Sequence, residues 1–215
     1  MSWIPLLLLS NTWAAGPGSE AANASILEKE GIRLSVRAVG EAWQDPNLAR
    51  IYRSSLLTGA VGIVVPVHRY AAVELEVGYK KQAGVEVAAI DGELSGVASA
   101  FEIVPWTLLA EGRLPLLGGG HLFLGVGPTV TAFTEEHSIR SDTGQVATQG
   151  MKINMDSRFG VRMDTGFVQP SLAPIQTREI RAVDLEVFVG RRWQFGDTGF
   201  DLSAWRAGLG FAFRM

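Results

Sequence analysis

Apolar and polar positions alternate with a period of two along most of the chain beyond residue 30. Ile32, Leu34, Val36 and Ala38 share one face; Arg33, Ser35 and Arg37 share the other. A strand sends successive side chains to opposite faces, so this is the signature of a β-strand with two unlike sides. Asp45-Pro46-Asn47 then reads as a loop. In a second strand Leu57, Val61, Ile63, Val65 and Val67 oppose Thr58, Ala60, Gly62 and Val64. After the short connection His68-Arg69-Tyr70, a third sets Val73, Leu75, Val77 and Tyr79 against Glu74, Glu76, Gly78 and Lys80. The pair predicts a hairpin. Residues 83–99 read as a longer excursion with room for a strand extension.

The fourth strand sets Val104, Trp106, Leu108, Ala110 and Leu114 against Glu102, Thr107, Leu109, Glu111 and Arg113, with Pro105 interrupting the ladder. Leu117-Gly118-Gly119-Gly120 reads as a turn. In the fifth strand Leu122, Leu124, Val126 and Val130 oppose Phe123, Gly125, Gly127, Thr129 and Thr131; residues 135–150 read as a long polar loop. The sixth alternates most cleanly: Ile153, Met155, Phe159, Val161, Met163 and Phe167 against Lys152, Asn154, Asp156, Arg158, Gly160, Arg162 and Asp164. A proline-containing connection, 169–177, leads to a seventh strand with Val183, Leu185, Val187, Val189 and Trp193 opposite Asp184, Glu186, Gly190 and Arg192. The last strand runs to the end of the chain, with Trp205, Ala207, Leu209, Phe211, Phe213 and Met215 opposite Arg206, Gly208, Gly210, Ala212 and Arg214.

Eight strands with mostly alternating long and short connections predict an all-β, eight-stranded antiparallel up-and-down barrel. Its apolar face needs a solvent, and a bilayer supplies one. The C-terminal strand resembles the assembly signal of bacterial outer-membrane barrels: a polar residue, a glycine, then alternating aromatic or aliphatic positions, here Arg206, Gly208, Phe211 and Phe213. The signal of that family usually ends on Phe or Trp, whereas this chain ends Arg214-Met215. The segment pattern over 31–215 also resembles the small eight-stranded outer-membrane proteins of the OmpA/OmpX-like and opacity-like kind, with residues 115–133 (PLLGGGHLFLGVGPTVTAF) the most similar internal piece. The resemblance implies a transmembrane barrel in the bacterial outer membrane, delivered by the barrel assembly machinery; a monomer that is not an enzyme and takes no cofactor is expected. Its expected role is structural, or surface interaction through the extracellular loops.

Alternation does not say which face points outward, and a soluble exported lipocalin-like carrier of an apolar ligand would show the same period. The composition of the polar face favours the membrane. It is rich in glycine beside long charged residues, which suits the narrow interior of an eight-stranded barrel better than a solvated exterior. Its charges also nearly balance. Glu74, Glu76, Glu111, Asp156, Asp164, Asp184 and Glu186, with Glu102, face Lys80, Arg113, Arg158, Arg162 and Arg192, with Arg33, Arg37, Lys152, Arg206 and Arg214. A dry lumen tolerates such charges only when they are paired, so the expected interior is closed by ion pairs rather than open as a pore. Trp106, Trp193, Trp205 and Tyr79 are candidates for an aromatic girdle at the membrane interface.

The 215 residues fit one domain, and the apolar run 3–9 fits the core of a secretory signal. The expected division is a signal peptide over 1–16, a leader over 17–30 and the barrel domain over 31–215. There is no cysteine, and the formal net charge of −3 gives no reason to expect nucleic acid. His68, His121 and His137 are too scattered for a zinc site. One constellation points to catalysis: Glu135-Glu136-His137-Ser138 in an expected external loop, where an outer-membrane lipid-modifying enzyme would carry a serine, its base and an acid. Adjacent His and Ser on an extended chain point away from each other, which favours a solvated loop.

Overall fold

The computed structural model describes residues 31–52, 56–87, 94–116, 120–138, 145–165, 182–196 and 200–215. The expected signal peptide and leader lie outside these residues, as does the connection 169–177. Eight strands form a closed barrel in sequence order: β1 (Arg33–Trp43), β2 (Leu56–His68), β3 (Ala71–Val87), β4 (Leu94–Pro115), β5 (His121–Ser138), β6 (Gln145–Asp164), β7 (Ala182–Gln194) and β8 (Ala204–Arg214). Every neighbouring pair is antiparallel. Closure is made by β1 on β8, in register from Arg33↔Arg214 to Trp43↔Ala204.

The faces divide as the alternation predicts. Leu34, Val36, Val61, Ile63, Leu75, Leu108, Phe159, Val189, Leu209 and Phe211 are exposed on the outside, while Arg37, Glu74, Glu76, Arg158, Arg162 and Glu186 are buried within. A soluble carrier requires the opposite arrangement. Among the described residues, no helix is long and apolar enough to cross a membrane, which says nothing of a barrel that crosses with strands.

Several expectations about connections are corrected. Asp45-Pro46-Asn47 opens a short helix, α1 (Pro46–Tyr52). The Asp45 carboxylate caps it, accepting from the backbone N–H of Asn47 at 2.8 Å and of Leu48 at 3.2 Å, and proline occupies the first helical position. Residues 135–150 are not one long loop: β5 runs to Ser138 and β6 starts at Gln145, paired from Ser138↔Gln145 onward. The excursion at 83–99 is mostly ladder, with Val85↔Ala98 and Val87↔Leu94. Continued pairing satisfies backbone groups that a loop would leave to water. As a result β3 to β6 span 17 to 22 residues, against 11 to 13 for the other four, and one side of the barrel stands taller. Glu102 is placed on the outer face of this tall wall, paired with Lys81 at 3.7 Å, rather than in the lumen. It shares the parity of Val104 and Trp106, so strand geometry sends it outward with them.

Bulk inside the lumen is matched to absent bulk. A Cβ on Gly160 would run into the Val187 carbonyl oxygen and lie 2.7 Å from both the Phe123 ring and Phe188 Cβ, so backbone and side chains together occupy space that only glycine leaves. Gly160→Ala should therefore destabilise the barrel by about 1–3 kcal/mol through overpacking. Urea unfolding in lipid vesicles checks this; an unchanged midpoint would contradict the packing.

Candidate functional site: a lumen sealed by ion pairs beneath an apolar cap

The lumen is layered. At the end carrying the β1–β2, β3–β4, β5–β6 and β7–β8 connections, α1 folds into the mouth against the tall wall. Its Leu48 and Tyr52 join Trp43, Phe101, Ile103, Leu202 and Ala204 in an apolar cluster, with Phe133 and Phe200 packed against it. Tyr52 stacks on Phe101 at 5.1 Å between centroids, and Phe101 meets Phe200 edge-on at 5.6 Å. The Tyr52 hydroxyl donates to Glu135 at 2.5 Å. The capping residue Asp45 also accepts from the Asp201 N–H at 2.9 Å, tying the helix start to the segment before β8. Cations border the cap through ring faces: Lys80 Nζ lies 4.5 Å from the Trp43 centroid and Lys152 Nζ 4.6 Å from that of Phe200.

Below the cap come the charges. Glu41 binds Arg192 at 3.3 Å, Arg206 at 3.2 Å and Lys80 at 3.5 Å. Asp156 takes Arg206 at 2.9 Å, Arg192 at 3.2 Å and the Thr129 hydroxyl at 2.8 Å. In the centre Arg37 joins Glu74, Glu76 (2.6 Å) and Glu186 (2.7 Å). Arg158 reaches Glu76 at 2.8 Å and Glu74 at 3.1 Å. Arg162 binds Glu186 at 2.6 Å, Glu111 at 2.7 Å and Glu74 at 3.2 Å, with its guanidinium 4.4 Å from the Phe123 centroid. Nearer the chain termini, Arg33 and Arg214 share Asp184 at 3.2 and 3.3 Å, and Arg113 binds Glu111 at 2.6 Å.

Each central carboxylate thus meets two or more cations from different strands, so that its lone pairs are used without water. Such crossed pairing holds charges where an unpaired ion would be expelled. It also ties strands across the barrel, because Arg37 on β1 reaches Glu186 on β7 and Arg162 on β6 reaches Glu74 on β3.

Of the charges expected in the lumen, Glu74, Glu76, Lys80, Glu111, Arg113, Asp156, Arg158, Arg162, Asp184, Glu186 and Arg192 are buried, and Asp164 is half-buried at the end of β6. Glu41 is a lumen charge that the strand pattern misses when the first strand is ended at Ala38. It continues the parity of Arg33, Ser35 and Arg37, and that parity is the signal that finds it. In the C-terminal segment Arg206 points inward and Phe211 is exposed on the outer face. Gly208 is half-buried on the inward-facing parity, and Phe213 is half-buried on the outward one.

Tyr79, Trp106 and Trp205 are exposed on the outside, and Trp193 is half-exposed. The ladder is staggered, so neighbouring strands are offset as the wall is followed around; allowing for that stagger, the four aromatics lie near one level. Arg191, also outward, places its guanidinium 5.4 and 5.1 Å from the rings of Trp193 and Trp205. His137 and Ser138 are the last residues of β5, opposite Val146 and Gln145, rather than part of a loop. No group of three metal-ligating side chains occurs among the described residues.

No family model matches the sequence, and no curated protein matches it. Solved structures do. A major outer membrane protein of Thermus thermophilus aligns with a TM-score of 0.55 at 14% identity, over 86% of this chain and 100% of that one. The outer membrane protein OprG of Pseudomonas aeruginosa aligns at 0.53 and 12% identity, over 86% and 96%. Neisserial surface protein A aligns at 0.50 and 7% identity, over 86% and 96%. At these identities the likeness is one of fold, and the chain has the fold of the small, eight-stranded, up-and-down outer-membrane β-barrels.

Proposed function

We propose that this chain is an integral protein of a bacterial outer membrane with a structural or surface-interaction role exercised through its loops, its lumen closed to solutes by paired charges. The observation that carries this reading is the division of the wall: a continuous apolar exterior around an interior of buried, mutually bound arginines and carboxylates. An exterior of that kind in water would aggregate, whereas in a bilayer it matches its solvent. The fold likeness and the aromatic level at Tyr79, Trp106, Trp193 and Trp205 support the same orientation, with the capped end outward and the chain termini in the periplasm. The division into signal peptide (1–16), leader (17–30) and barrel (31–215) belongs to this reading. So do assembly through Arg206, Gly208, Phe211 and Phe213, a monomeric state and the lack of catalysis and of cofactor.

Fractionation tests the placement. The protein is expected in the outer membrane, with a gel mobility that changes on boiling; recovery in the soluble periplasm would overturn it. Conductance tests the sealed lumen. In planar bilayers the folded protein should give no discrete steps above the leak of the bare membrane, and reproducible steps would show a pore.

A further inference from the structure

At the terminal end of the barrel the charge network borders an opening. There a cavity of about 250 Å³ opens between Arg33 (β1), Arg69 (the β2–β3 turn), Arg113 (β4), His121 (β5) and Arg214 (β8). Among the described residues, Asp184 is shared by Arg33 and Arg214, and Glu111 by Arg113 and Arg162. Arg33 is 4% exposed, yet among the described residues its Nη1 has no hydrogen-bond partner; Nε2 of His121 and Nε of Arg214 also lack one there. A buried guanidinium donor left unmatched is costly, and a bound anion would remove that cost.

We propose that this terminal cavity is a binding site for a phosphoryl group, held by Arg33 and Arg69 with the Arg113 and Arg214 guanidiniums and His121 around it. The site goes beyond the structural role proposed above and does not depend on it. Guanidinium forks approaching from several strands suit a tetrahedral oxyanion, which offers acceptors in several directions, better than a planar carboxylate, which is saturated by one or two forks. The volume admits a phosphate with a small substituent. The cavity opens at the barrel rim, so the phosphoryl group could belong to a soluble phosphate or to a lipid headgroup; the recognition chemistry is the same.

The test uses the full chain, folded in a maltoside detergent free of phosphate, with inorganic phosphate titrated calorimetrically. One saturable site is expected. Arg33→Gln and Arg69→Gln should each weaken it at least about tenfold, the loss expected for one charge-assisted contact. Arg69 lies on an exposed turn, so its variant remains informative should Arg33→Gln fail the gel test of folding. The titration is repeated in nanodiscs with and without phosphatidylglycerol. An affinity indifferent to the lipid supports a soluble phosphate as the occupant; an affinity lowered by it supports a headgroup competing for the same site. Absence of saturable binding, or binding unchanged within twofold in the folded variants, would overturn the proposal.

Discussion

Arg162→Met is expected to lower the stability of the barrel by about 3–5 kcal/mol, the cost of removing one member of a buried charge cluster and leaving its partners uncompensated. Arg162 is fully buried, and its guanidinium serves Glu186, Glu111 and Glu74 together. Methionine has similar bulk and keeps the packing against Phe123, so the loss is electrostatic rather than a cavity. Glu186 retains Arg37, Glu111 retains Arg113, and Glu74 retains Arg37 and Arg158, but each loses a donor. Arg162→Lys should fall between, since an ammonium keeps the charge but cannot hold three carboxylates with a rigid fork. The measurement is urea unfolding in lipid vesicles, followed by tryptophan fluorescence. Combining Arg162→Met with Glu111→Gln should cost less than the sum of the single changes, because the two residues share a contact. Additive losses would mean that the pair is not coupled.

Ile63→Arg tests the outer face. Ile63 is exposed on β2, flanked by its ladder partners Leu34 on β1 and Leu75 on β3, both also exposed. Below the aromatic level, in the middle of the apolar band, an arginine should cost about 2–4 kcal/mol in a bilayer. On a solvated wall the same change would be close to neutral. The experiment compares folded fractions of Ile63→Arg and wild type across a urea series in vesicles. A shift near zero would remove the bilayer as the solvent of this face, whatever the fractionation result.

Much of the wall is legible in the residues because strand geometry leaves little choice. Once Leu75 is known to face one way, Glu74 and Glu76 face the other, and this holds along β1 to β8. The reading fails where parity is not followed, as at Glu102, and where a strand is ended too early, as at Glu41. The capped mouth is harder to read. Asp45-Pro46 carries the signature of a helix start, but α1 is short, and a seven-residue helix gains too little from its own hydrogen bonds to stand without packing. What holds it is Tyr52 against Phe101, and that contact joins distant parts of the chain.

The number of strands, their antiparallel order and the two faces of the wall follow from the residues alone, because a period of two is a local property that each strand carries. Pairing across the lumen does not follow in that way. Arg37 meets Glu186 across a separation of 149 residues, and no spacing along the chain announces it. Closure of β1 on β8 and the stagger of the ladder bring those side chains to one level, and they also leave Arg33, Arg69, Arg113 and Arg214 around one cavity. A face can be read from neighbours in sequence. A partner is set by where the closed barrel places two side chains in space.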